Sequence, residues 1–137
     1  MTLAARHGKH ADLTIAGTSL QEFTDSEDLD LTIATGDITT FGHNWKKALV
    51  GLGDGKLAVT GKYDPTVTTG PMALINAQLM VDGVAMVYYP GGNVTGQESV
   101  TFSAIITGVK RSSKIGSEVT FSFDMMMTGD PTFALVA

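Results

Sequence analysis

The chain has 137 residues, a length that suits one domain with a core of its own. Its formal net charge is −5, which argues against a protein that grips nucleic acid through the phosphates. It has no cysteine, which excludes disulfide frameworks and thiolate sites.

Only 17% of the residues are charged, below the roughly 25% of an average soluble domain. With 43% apolar residues and 16 glycines, this points to a surface covered by something other than water. Obligate assembly is the simplest cause, because subunit contacts disfavour charge at their centres. The opening MTLAARHGKHADL lacks the apolar core of a signal peptide. No run approaches the roughly 20 apolar residues of a membrane span. The sequon Asn93-Val94-Thr95 is read as chance.

Residues 1–10 read as an N-terminal arm, and residues 11–137 as a single β-sandwich domain. Ala11–Ala16 is a short strand with a turn at Gly17-Thr18. In Asp28–Ala34, Leu29, Leu31 and Ile33 alternate with Asp28, Asp30, Thr32 and Ala34, the pattern of a half-buried antiparallel strand. Gly36-Asp37 and Phe41-Gly42 are turn signals. Trp45, Leu49 and Leu52 stand at i, i+4 and i+7, which predicts a short helix stopped by Gly51, Gly53 and Gly55. Trp45, the only tryptophan, is expected to anchor that helix on the sheet. A strand follows, with Leu57, Val59, Gly61 and Tyr63 on one face, ended by Asp64-Pro65.

Pro71–Met80 is a second helix candidate, with Pro71 at the first position and Met72, Ile75 and Leu79 on one stripe. Val84–Tyr89 is a strand apolar on both faces, either central or facing a partner. Pro90–Gln97 is a flexible loop by composition. Two long strands, Ser99–Val109 and Glu118–Thr128, flank the basic loop Lys110–Ser117. Thr132–Ala137 is an edge strand or a tail. The sum is six or seven strands and two short helices: a mainly β, antiparallel sandwich or barrel with flanking helix.

Catalytic constellations are weak throughout, and an enzyme is not expected. His7-x-x-His10 has no third ligand nearby, and His43 reads as a turn or interface residue. The acidic run Glu22, Asp25, Glu27, Asp28, Asp30 does not fit a calcium loop; it is a solvated face or the lining of a channel. Gly51–Gly55 lacks the lysine and hydroxyl of a phosphate loop. Lys110, Arg111 and Lys114 lack interleaved aromatics and suit an interface salt-bridge loop. Met126 points away from the face of Met125 and Met127, and so needs a second layer or a partner.

The stretch TTFGHNWKKALVGLGDGKLAVTGKYDP resembles the major tail tube proteins of long-tailed, siphovirus-type bacteriophages. The residues that carry this resemblance are Phe41, Gly42, Trp45, Gly51, Leu52, Asp54, Gly55, Gly61, Asp64 and Pro65. The resemblance implies a β-sandwich that assembles as hexameric rings, stacked into a channel through which double-stranded DNA passes without sequence-specific binding. It implies a virion location after assembly in the host cytoplasm, with the tape measure and tail terminator proteins as neighbours. It implies no cofactor and no catalytic residue. On that reading Arg6, His7, Lys9, His10, Lys110, Arg111, Lys114 and Met126 are candidate inter-subunit residues, and Asp28, Asp30, Glu98, Glu118 and Asp124 candidate lumen residues. The competing reading is a capsid decoration protein or a carbohydrate- or receptor-binding module. It needs an exposed aromatic patch, for which Tyr63, Tyr88 and Tyr89 are the candidates.

Overall fold

The computed structural model describes residues 7–42, 44–64 and 70–137. After a 3-10 turn at Gly8–His10 come β1 (Asp12–Ile15), β2 (Thr18–Ser19), β3 (Thr24–Asp37) and β4 (Ala48–Lys62). Helix α1 (Pro71–Ala77) follows, then β5 (Val84–Tyr89), β6 (Glu98–Ser112), β7 (Thr120–Met127) and β8 (Thr132–Leu135). The strands form one antiparallel sheet in the order β2-β1-β5-β6-β7-β4-β3, with β8 paired to β6. Strand β6 is the hub. Its Ala104 faces Val84 of β5 on one edge and Met127 of β7 on the other, and β8 extends the β7 edge beside Glu98–Thr101.

Strict alternation builds the core, because successive side chains of a strand point to opposite faces. Val100, Phe102, Ala104 and Ile106 of β6 are buried, as are Phe121, Phe123 and Met125 of β7 and Leu57 and Val59 of β4. The rings of Phe121 and Phe123 stack with centroids 6.2 Å apart. Leu13 and Ile15 of β1 and Val84 and Met86 of β5 complete the sheet's inner face.

Helix α1 covers this face with Met72 and Ile75. It starts at Pro71, whose fixed φ suits the first turn. It ends at Ala77, sooner than the apolar stripe predicts, so Leu79 and Met80 lie outside it and are exposed. Arg111 Nη2 donates to Asn76 Oδ1 at 2.9 Å and ties the helix to β6. Both Lys110 and Arg111 belong to β6, not to the loop expected there. Thr132–Leu135 is a strand and not a tail.

Gly61 permits the close approach of β3 and β7 to β4. A Cβ there would overlap the Phe23 carbonyl oxygen and come within 2.9 Å of the Phe121 ring. The Phe23 carbonyl also accepts from Lys62 N at 2.7 Å, so it cannot retreat without breaking that bond.

The sheet curls until its two ends share a cleft. Glu27 of β3 and Tyr88 of β5 line it together with Lys9 and Gln21. Asp12 of β1, only 6% exposed, accepts from Ser19 Oγ at 2.6 Å. Burial pushes the Glu27 carboxyl up from its ordinary value. The Thr24 hydroxyl, 3.0 Å from Oε1, pulls it down, and the Asp12 charge adds to the rise. Glu27 Oε2 is buried with no hydrogen-bond partner. The Tyr88 phenol is raised by burial first, and then by the charges of Glu27 and Asp28.

Two outcomes follow from these contacts. Gly61→Ala should cost about 1–3 kcal/mol in denaturant unfolding, the usual range for overpacking. Gly108→Ala, with nothing within 4 Å of the new Cβ, should cost far less. Equal costs would contradict the close-approach argument. For Glu27, the folded pKa lies above the ordinary 4.5, so the folded state holds the proton more tightly than the unfolded chain. Stability from this group is therefore lost as pH rises from about that value through the raised one. Thermal melts should show Glu27→Gln gaining on the wild type between pH 4 and pH 7.5. A difference in melting temperature that does not change with pH would contradict the assignment.

Candidate assembly surfaces

Strand β4 pairs with β3 from Ala48 to Gly61 but with β7 only from Lys56 to Lys62. Residues 31–37 and 48–55 therefore leave the sheet as a two-stranded ribbon. This overturns the helix expected over Trp45–Leu52. Gly51, Gly53 and Gly55 are strand residues, not a helix stop. Glycine costs a helix roughly 1 kcal/mol per residue, and a ladder running along the whole of β3 offers these backbone groups partners instead. The register shifts between Ile33 and Thr35, which face Gly53 and Val50, so β4 carries one extra residue there. Gly51 sits at that bulge, where a Cβ would stand 3.0 Å from the Ala34 carbonyl oxygen.

The ribbon's end is built locally. Asp37 Oδ1 accepts from Thr39 N at 2.8 Å, and bonds from the Thr39 hydroxyl and amide hold that carboxyl below its usual range. Lys47 N donates to Thr39 Oγ1 at 2.8 Å, and Ile38 N to the Lys47 carbonyl at 3.0 Å. Gly42, with φ +94°, makes the turn expected at Phe41-Gly42. Trp45 is 86% exposed, so it does not anchor the subunit's own core. Phe41, Val50 and Leu52 are exposed as well. An isolated two-stranded ribbon is marginal in water, and one that displays this much apolar surface calls for a cover.

At the ribbon's root lies a groove of about 530 Å³. Leu31, Ile33, Met127, Pro131 and Phe133 give it an apolar floor, and Asp54 and Asp130 are among its polar residues. Gly55 makes room for it, because a Cβ there would overlap Met127 Sδ and crowd Leu31. Sequence reasoning missed this groove. Its parts come from β3, β4 and the segment between β7 and β8, and no local pattern joins them. It also missed that buried Asp12, bonded to Ser19, and half-buried Glu27 lie close enough for their charges to interact.

Of the candidate lumen residues, Asp28, Asp30 and Asp124 share the outer face of β3, β4 and β7. Asp28 and Asp124 flank Ala58 in one cross-strand row, and Asp30 lies beside Lys56 in the next. Glu98 is apart from them, opposite Leu135 of β8. Glu118 sits before β7, with its carboxylate 3.4 Å from Lys62 Nζ. Among the candidate contact residues, Met126 is 41% exposed on the outer face, between Lys56 and Ile105. Lys114 lies in the β6–β7 turn. His7 caps the Gly8–His10 turn by accepting from Lys9 N at 3.1 Å. Gln21 Nε2 donates to the carbonyls of His10 and Ala11, which fixes where the arm joins the domain. Asp64 is the second residue after β4; Arg6, His43 and Pro65 lie outside the described residues. Tyr88 and Tyr89 stand on β5, half-buried, and are separated from the strand before Tyr63 by β6 and β7, so the three do not form one patch. Among the described residues no group of three His, Asp or Glu side chains could hold a metal, and no helix is long and apolar enough to cross a membrane.

No protein-family model matches the sequence, and no curated protein does. Solved structures do match. A chain of the virion of a native gene transfer agent particle superposes with a TM-score of 0.75 at 14% identity, covering 95% of this chain and 99% of that one. The tail of the empty gene transfer agent particle, refined with C6 symmetry, gives a TM-score of 0.76 at 14% identity with the same coverage. The SPP1 tail tube gives 0.77 at 10% identity, covering 96% of this chain and 80% of that one. The sheath–tube complex of an extracellular contractile injection system gives 0.73 at 14% identity, over 97% and 93%. The chain has the fold seen in these phage tails and phage-like tubes.

Proposed function

We propose that this protein is the major tube subunit of a phage-type tail, polymerising into stacked rings around a channel that double-stranded DNA traverses. The observation that carries this reading is a tube-subunit fold spanning nearly the whole chain, joined to an apolar ribbon that the subunit itself leaves uncovered. Six subunits per ring is the number taken from the gene transfer agent tail. A structural role, a place in the virion and no enzymatic activity go with it. The face of β3, β4 and β7 that carries Asp28, Asp30 and Asp124 is assigned to the lumen. Carboxylates there repel phosphates, so DNA slides and does not stick. Residues 1–10 act as the arm that ties one ring to the next, with Lys110 and Lys114 at subunit contacts. Each stable contact then buries on the order of 1,600 Å² or more.

Electron microscopy of the purified protein should show rings or tubes, with the Asp28–Asp124 face lining the channel. A monodisperse monomer at high concentration, inert to seeding by tail tips, would overturn the proposal; a tube map with that face outside would overturn the lumen assignment alone. Deleting residues 1–6 keeps His7, which caps the Gly8–His10 turn, and so spares the turn that Gln21 secures. It should leave the melting temperature unchanged and shorten or abolish tubes. Tubes of ordinary length from the truncated protein would reject the arm's role.

A further inference from the structure

We infer that the ribbon tip of one subunit docks in the root groove of the next, with Phe41 and Trp45 on the apolar floor and Lys46 and Lys47 facing Asp54 and Asp130. This rests on the tube reading and specifies the contact that would propagate a ring.

Complementarity carries the inference. The tip offers two exposed aromatic rings beside two lysines. The groove offers apolar side chains such as Leu31, Met127 and Phe133 together with two carboxylates. Neither the lysines nor the carboxylates form an ion pair within the subunit among the described residues. Burying two aromatics removes on the order of 150–250 Å² each from water. The flanking charges supply register and exclude wrong docking poses.

Geometry makes the contact intermolecular. Beyond Ile33, the last β3 residue on the groove, the ribbon runs on to Asp37 for roughly 13 Å, at about 3.3 Å per residue, before the tip begins. The ladder is paired on both sides of its single-residue bulge, and such a ribbon bends but does not fold back on itself over that length, so the tip does not reach its own groove. Tip and groove are also different surfaces, which makes the contact heterologous. Such contacts close into rings when the rotation allows, and otherwise run on as filaments.

A charge swap tests this. Lys46→Asp with Lys47→Asp gives a subunit negative at both tip and groove. Asp54→Lys with Asp130→Lys gives one positive at both. All four positions are exposed, so both variants should melt like the wild type. Each alone should lose at least tenfold in assembled material by sedimentation, and an equimolar mixture should recover it, since unlike neighbours then alternate around an even ring. Variants that assemble like the wild type, or a mixture that stays monomeric, would overturn the docking and assign the groove to a different polypeptide. A second measurement does not depend on charge reversal. Lys46→Cys with Asp130→Cys, in a chain that has no other cysteine, should give a ladder of disulfide-linked multimers on oxidation, and each single variant should give none. Assembled particles without a ladder would overturn the docking. Wild-type protein that never assembles would overturn the tube reading itself, and the docking with it.

Discussion

One strand serves two environments, and the rest of the molecule follows from that division. From Gly55 onward β4 alternates buried and exposed residues, with Leu57, Val59 and Gly61 on the core. Before Gly55 the same strand has no neighbour but β3, and all of its residues are exposed. Gly55 marks the boundary, because its missing Cβ lets Met127 lie across β4 where the inner sheet ends. The inner half stabilises the fold without help. The outer half is apolar surface that only another molecule can remove from water.

The inner half was largely legible in the sequence. Period-2 alternation marked Val100 to Ile106 and Phe121 to Met125 as core-facing, and both runs are buried. Val84–Tyr89 lies centrally in the strand order, between β1 and β6, but only Val84 and Met86 are buried, and Ala85 on its second face is exposed. Pro71 marked the start of α1. The mainly β antiparallel architecture implied by the tail-tube resemblance is the one observed.

The outer half was not legible, for a physical reason. Period and propensity rules assume that a segment's apolar residues face its own core. Trp45, Leu49 and Leu52 fit a helical stripe only on that assumption, and all three are exposed. Likewise Leu31 and Ile33 continue the alternation of Leu29 but extend beyond the point where there is a core to meet. The glycines of β4 misled in the same direction. Gly51, Gly53 and Gly55 fit a helix stop because glycine reaches left-handed dihedrals, yet what Gly51 and Gly55 supply, like Gly61 further along the strand, is space. Close approach depends on the partner strand, which a local pattern cannot name. The half-buried Asp12–Ser19 and Glu27–Thr24 pairs were invisible for the same reason: the first joins two strands, and the second lies at a seam formed only when the sheet curls.

The central claim is that copies of the chain cover the ribbon at 31–55. Amide hydrogen exchange across these residues, measured in monomers and in assembled particles, tests it most directly. The ribbon should exchange quickly in the monomer, as expected for an unsupported two-stranded ladder, and become strongly protected in the assembly, while β6 and β7 are protected in both. Equal exchange of the ribbon in the two states would contradict the account.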